Sequence, residues 1–548
     1  MKRSLFKVPK HLVQIPHHRP LTHIARPSRA ETHIRTRPAA YPDPIRVSVH
    51  HQPLTHQCFS TSRFREQETA MNAPLKKKPI NLLRGWPSPS LLPAAALSAA
   101  AVKTLADPAV YVPGLQYGPD PGYQPLRDAL ATWLSAFYPI AGSTPEETKG
   151  LLSAAEASND TAALPHHPPD VRRICITGGA SQNLACILQS FTDPLYTQNV
   201  WMVAPCYFLA CPIFADAGFD GGLKAVPEDD EGIDLEYLRK GLEAAGKGSD
   251  DHFKQAKKRK LYRHVIYLVP TCSNPTGKTM SLRRRYDLVR LARQHDALLV
   301  ADDVYDFLQW PTTHTPPDGA YPPAMRLPRL VDIDRGLGVP EASFGNAVSN
   351  GSFSKIVGPG VRTGWAEGSP AFAYGLSQTG STCGGGAPSQ LAAMLVAELL
   401  ASGQVQRHLD EKTRPALARR HRAMMEAIAE HVQKPLDGTV AVRESSLEGA
   451  GVYGGYFVWF TLPEGMSSRE AAVRAKETEE LVIGHGAQFE VHGDEEAARF
   501  GRDIRLCFSW EPKEDVVEGV ERLGRVLKAM KDGVEWKSSS ALDVDNVK

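Results

Sequence analysis

Between residues 171 and 368, short apolar runs alternate with stretches of helical spacing, and this alternation constrains the fold more than any other property of the chain. Residues 173–177, 200–204, 264–269 and 297–301 read as strands, and 181–191, 207–217 and 282–295 as the helices between them, the last with Ser281 as its N-cap. Residues 346–349 lead into a Gly/Ser loop, and 363–367 read as one more short strand. Such alternation gives an α/β fold: a mostly parallel sheet sandwiched by helices. Ligands of such sheets bind beyond the carboxyl ends of the strands. Residues just after strands are therefore where chemistry is expected.

Flanking segments extend this plan. Residues 71–112 read as an N-terminal arm, with an extended piece at 80–89 and a helix to about residue 106. A helix is expected over 125–137, where Leu126, Leu130, Trp133, Leu134 and Phe137 share one face. Residues 140–170 and 246–260 read as polar surface insertions. Beyond residue 384 the chain is largely helical to 433; a strand at 453–460, a helix at 468–484, a strand at 503–508 and a closing helix at 514–531 follow. The expected organisation is a large domain over 113–400, a smaller α+β domain over 401–536 that the arm joins, and a polar tail at 537–548.

Residues 1–70 do not read as a fold. They hold twelve Lys or Arg against four Asp or Glu, many His and Pro, and no sustained apolar period. That is the composition of a mitochondrial transit peptide, and Gln57-Cys58-Phe59-Ser60-Thr61-Ser62-Arg63 resembles a processing region. A disordered extension, with translation from Met71 and a cytoplasmic location, is the alternative. No apolar run approaches the ~20 residues that span a bilayer, so no membrane partner is expected. A net charge of +2 implies no polyanionic partner such as nucleic acid. The eight cysteines lack CxxC spacing and read as reduced thiols, and the His pairs lack ligand spacing, so no metal site is expected.

One stretch carries chemistry directly: Gly351-Ser352-Phe353-Ser354-Lys355, followed by Gly358, Gly360 and Arg362. Ser352, Ser354 and Arg362 can donate to an anion, and the glycines let the backbone turn back toward the lysine. A lysine beside a phosphate-sized site is what pyridoxal 5'-phosphate (PLP) requires, since the amine condenses with the aldehyde while the phosphate anchors the other end. A Gly/Ser surface loop with a solvated lysine also fits this stretch by itself.

Further motifs occur in an order that resembles the class I/II aminotransferases, fold-type I PLP enzymes, over residues 79–532, and especially the 2-aminoadipate and aromatic branch. They are Ser273-Asn274-Pro275-Thr276-Gly277, Ala301-Asp302-Asp303-Val304-Tyr305, Gly178-Gly179-Ala180-Ser181, Ala204-Pro205-Cys206-Tyr207 and Asp503-Ile504-Arg505. The resemblance implies Lys355 as the Schiff-base lysine and proton carrier. It implies Ser352, Arg362, Gly179, Ala180 and Ser181 as phosphate ligands, and Asp302, three residues before Tyr305, as the partner of the pyridine nitrogen. Asn274 and Tyr305 would bond the ring's phenolic oxygen, and Tyr207 would stack on the ring. Arg505, Gly85 and Asn274 would hold the substrate carboxylate. Tyr117 would reach the phosphate of a neighbouring subunit, which implies a homodimer with shared sites.

The implied activity is amino transfer from an L-amino acid to a 2-oxo acid, with 2-oxoglutarate the expected acceptor, in a ping-pong cycle. A PLP-dependent lyase or decarboxylase would use the same site. An aminotransferase-like transcription regulator would need a helix-turn-helix domain in front, and residues 1–70 show no helical period to build one.

Overall fold

Six strands running in one direction form the centre of the protein, in a sheet of eight. In a computed structural model they are β1 (Ile174–Thr177), β2 (Asn199–Ala204), β3 (Leu223–Asp229), β4 (Gly232–Ile233), β5 (His264–Leu268), β6 (Ala297–Asp302), β7 (Ala347–Ser352) and β8 (Gly364–Glu367), in the order β1-β8-β7-β6-β5-β2-β3-β4. The pairs β7–β6, β6–β5, β5–β2 and β2–β3 are parallel. Every residue of β5, β6 and β7 is buried, as expected for strands covered on both faces. The structure describes residues 77–158, 166–245, 259–312, 325–386, 388–447 and 449–538. The N-terminal extension (1–70), nearly all of the 246–260 insertion and most of the tail lie outside them.

Helix α1 (Ala180–Phe191) follows β1, and helix α2 (Leu282–Gln294) connects β5 to β6. Ser281 caps α2 as expected, its hydroxyl accepting from the Arg284 amide at 3.2 Å. A second sheet is antiparallel: β9 (Phe457–Thr461) and β10 (Gly484–His485) flank β11 (Asp503–Cys507). Helices α3 (Ser468–Glu479) and α4 (Lys513–Lys531) accompany it. The N-terminal arm reaches these elements: Ile80–Asn81 pairs in parallel with Leu481–Val482, and the Cys507 amide donates to the Leu82 carbonyl at 2.7 Å.

The structure departs from expectation in several places, among them the helix expected over 468–484, which stops at Glu479 before the strand Leu481–Val482 and β10. β8 is antiparallel to both neighbours, because the loop from Ser352 to Gly364 is too short for the crossover that parallel pairing needs. The expected helix at 207–217 breaks into a 3₁₀ turn at Phe208–Ala210, one α turn at Cys211–Phe214 and a π turn at Ala215–Phe219, with Pro212 opening the α turn and Gly218 at φ 90° inside the last. The expected strand at 453–460 is two strands, Val452–Gly454 and β9, separated by Gly455 at φ 72°, where a Cβ would meet Cys272. Within 140–170 a helix forms over Pro145–Ser158. The Thr144 hydroxyl accepts from the Glu147 amide, the Glu147 carboxylate reaches back to the Ser143 amide, and Thr148 bonds Tyr286 on α2 at 2.7 Å.

Candidate active site

The carboxyl ends of the parallel strands open into a cavity of about 360 Å³. Asp302 ends β6, Ser352 ends β7, Tyr207 lies just beyond β2, Asn274 follows β5 and Ala180 starts α1; all five line the cavity. Lys355, Tyr305, Ser181, Arg362, Gly85 and Arg505 line it too. Gly179 adjoins it: at φ +100° it has no room for a Cβ, which would stand 2.7 Å from Arg362 Nη2. Tyr117 lies outside the cavity and is 86% exposed.

At one end of the cavity several anion donors converge. The Ser352 hydroxyl donates to Ser354 Oγ at 3.0 Å, and Arg362 Nη1 approaches the same oxygen at 3.3 Å. Arg362 itself sits at φ 45°, which turns its backbone back toward the start of α1, and Nη2 donates to the Gly178 carbonyl at 3.0 Å. No carboxylate among the described residues pairs with Arg362. The amides at the start of α1 have no side-chain cap, so a bound anion would complete the helix end.

Asp302 lies on the opposite polarity. Its Oδ2 accepts from the Tyr267 hydroxyl at 2.8 Å, while Oδ1 is buried with no hydrogen-bond partner. Burial pushes its carboxyl up to about 6. A protonated ring nitrogen would satisfy the orphaned oxygen. Asp303, the first residue after β6, does not line the cavity; burial and the neighbouring Asp306 push its carboxyl well up. Of these two neighbouring carboxylates only Asp302 lines the cavity.

Lys355 Nζ donates to the Gly85 carbonyl at 2.8 Å and lies 5.3 Å from the centroid of the Tyr456 ring. Burial lowers its ammonium to about 8, which raises the share of neutral, nucleophilic amine. Arg505 Nη1 donates to Asn274 Oδ1 at 2.7 Å and Nη2 to the Leu83 carbonyl at 2.5 Å. Its Nε is buried without a partner, no carboxylate among the described residues pairs with it, and burial lowers it to about 10. A buried arginine held only by neutral acceptors suits an incoming carboxylate. Burial also raises Tyr207 to about 12 and moves Tyr305 upward, so both hydroxyls remain protonated donors.

Several cavity residues were not singled out from sequence. Tyr267 supports Asp302; a tyrosine in a fully buried strand signals that its hydroxyl has a partner, but only the β5–β6 pairing identifies it. Asn350 lines the cavity and bridges β7 to α1, its Oδ1 accepting from Asn183 at 2.8 Å and its Nδ2 donating to the Ala180 carbonyl at 3.1 Å. Tyr456, which does not line the cavity, donates to the Lys355 carbonyl at 3.2 Å. Arg84 and Trp86 flank Gly85 on the cavity wall.

The family model described as aminotransferase class I and II matches residues 141–523. An uncharacterized Saccharomyces cerevisiae protein, YER152C, is 34% identical over 476 residues, covering 83% of this chain and 98% of its own length. A 2-aminoadipate transaminase of Thermus thermophilus is 29% identical over 82% of this chain and 90% of its own. Among solved structures, that of LysN, an alpha-aminoadipate aminotransferase from Thermus thermophilus complexed with N-(5'-phosphopyridoxyl)-L-leucine, superposes with a TM-score of 0.59 at 26% identity, covering 86% of this chain and 96% of that one. With most of its length matched by one family, and a cavity at the strand ends that this family's motifs converge on, the chain belongs to the class I and II aminotransferases.

Proposed function

We propose that the protein is a PLP-dependent transaminase that moves the amino group of an L-amino acid to a 2-oxo acid, with 2-oxoglutarate as an acceptor. The observation that carries this reading is the pairing of two unsatisfied groups in one cavity: Asp302 Oδ1, which lacks a donor, and Arg505, which lacks an anion. The bound cofactor supplies an electron sink for charge at the substrate's α-carbon. Ser352, Ser354, Arg362 and the first amides of α1 hold its phosphate, and Asp302, supported by Tyr267, keeps its ring nitrogen protonated. Arg505 takes the substrate's α-carboxylate, with Asn274 orienting the guanidinium. Lys355 Nζ takes the α-proton and returns it, and the Gly85 carbonyl marks where that amine rests. Tyr207 would stack on the ring and Tyr305 would donate to its phenolic oxygen, both hydroxyls being kept protonated by burial.

Replacement Lys355→Ala tests the reading. The purified variant should lack the visible absorbance of the bound cofactor and all amino transfer to 2-oxoglutarate; retention of both would falsify it.

A homodimer and mitochondrial import belong to the same reading. Val102, Leu105, Val112 and Leu115 expose apolar side chains on the helices Ala94–Ala106 and Pro108–Leu115, just before the exposed Tyr117, and association would cover them. Analytical ultracentrifugation at micromolar concentration checks this: a fully active monomer overturns it. The basic, acid-poor composition of residues 1–70 supports import, which a reporter fused to those residues tests against a chain starting at Met71.

A further inference from the structure

Four cationic side chains line the cavity: Arg84, Lys355, Arg362 and Arg505. The transaminase reading uses three of them and leaves Arg84 over. Its guanidinium carbon lies 4.6 Å from the Trp86 ring centroid and 5.2 Å from that of Trp510, and the two rings meet edge to face at 5.6 Å. Its Nε is buried with no hydrogen-bond partner, and no carboxylate among the described residues pairs with it. A guanidinium resting on aromatic faces keeps its plane of N–H donors free at the edge, where a carboxylate binds in two-point fashion.

The backbone fixes where this group sits. The Asn81 side chain accepts from the amides of Leu83 at 3.0 Å and Arg84 at 2.9 Å, forming a local turn. The carbonyls on either side of Arg84 are committed, Leu83 to Arg505 and Gly85 to Lys355. Arg84 is thereby locked between the residues that face the substrate's α-carboxylate and its α-carbon. Much of the remaining lining is apolar, with Leu184, Phe208, Leu209 and Ile213, and it offers no cation beyond these four.

We propose that Arg84, held by Trp86 and Trp510, is a specificity-determining residue that binds the distal carboxylate of dicarboxylic amino acids and 2-oxo acids. This rests on the transaminase reading for its catalytic test, so binding is measured as well. Glutamate and norvaline differ at one end, carboxylate against methyl; glutarate and pentanoate differ the same way and do not react. In the PLP-loaded enzyme, Arg84→Gln should lower the ratio of kcat/KM for L-glutamate to that for L-norvaline by roughly 10–100-fold, the usual range for one charge-assisted contact. Calorimetry should show the glutarate-over-pentanoate preference falling by a similar factor, and Arg84→Lys should restore part of both. The thermal midpoint and the visible absorbance of Arg84→Gln report whether the fold and cofactor site persist.

An equal fall for both members of each pair overturns the proposal and makes Arg84 a structural clamp for the tryptophans. A wild-type enzyme that transaminates norvaline but shows no preference for glutamate or glutarate also overturns it, and leaves the transaminase reading standing. A wild type that transaminates nothing yet prefers glutarate through Arg84 overturns the transaminase reading and keeps the site.

Discussion

The Lys355 amine donates to the Gly85 carbonyl at 2.8 Å across 270 residues of sequence. That bond places the amine proposed above as the base against the N-terminal arm, whose neighbouring carbonyl at Leu83 holds Arg505. The arm is thus a shared wall for Lys355 and Arg505.

Gly85→Ala tests this wall. A Cβ there would come 2.7 Å from Phe457 Cζ, and Phe457 stacks 4.1 Å from the Arg505 guanidinium. The displaced ring should push Arg505 from its position, and kcat/KM for the amino donor should fall by about tenfold or more. Steady-state kinetics should show the loss mostly in KM.

Arg505→Lys keeps the charge and removes the planar fork. With one ammonium in place of a guanidinium that bonds Asn274 and Leu83, two-point grip on a carboxylate is lost. We expect kcat/KM for every amino donor to drop by roughly 10–100-fold regardless of side chain, in contrast to Arg84→Gln. A donor panel run on both variants separates the two arginines.

Asp302 gives a pH signature in the cofactor-free protein. Its carboxyl is raised from 3.8 to about 6, so the folded state binds more protons than the unfolded state between those values. Its burial as an anion therefore costs stability that grows as pH rises from 4 to 6 and stays constant above. Asp302→Asn should be more stable than wild type above pH 6, by on the order of 1–3 kcal/mol, and the difference should close as pH falls toward 4. Urea unfolding of the cofactor-free proteins measures it; an unchanged difference across this window sinks the assignment. The same variant should be inactive.

Gly179→Ala probes the phosphate end. The residue sits at φ +100°, and a Cβ would collide with Arg362 Nη2 at 2.7 Å. Strain at such a position is of order 1–3 kcal/mol, and the moved guanidinium weakens the anion site. Cofactor affinity, followed by absorbance titration, should fall at least about tenfold, while the secondary structure seen by circular dichroism stays intact.

How far sequence alone reached depended on whether a feature is local. Asp302, Lys355, Asn274 and Tyr207 follow strands that their own apolar runs reveal, and they do meet in one cavity. The choice of Asp302 over Asp303 rests on the resemblance, which puts the aspartate three residues before Tyr305, and of the two only Asp302 lines the cavity. Tyr267 and Arg84 were not legible, because their meaning comes from neighbours: Tyr267 needs β5 beside β6, and Arg84 needs Trp510 folded back from far along the chain. The helix over Pro145–Ser158 was hidden by its largely polar composition, its inward contacts resting on Thr148 and the buried Leu152 and not on a full apolar stripe. The π turn and kink after Tyr207 escaped because helical spacing does not report how hydrogen bonds are shared around Pro212 and Gly218.

The arm that carries Arg84 and Gly85 also sets when the enzyme can become active during synthesis. Its residues leave the ribosome early, yet Leu83 must wait for Arg505, 422 positions later, and Leu82 for Cys507. Neither contact can form before its later residue has been synthesised. A nascent chain interrupted before residue 505 would hold its lysine and its phosphate cradle but have no closed substrate wall. Catalytic competence is therefore coupled to completion of the polypeptide, and truncated products lack the means to turn over amino acids.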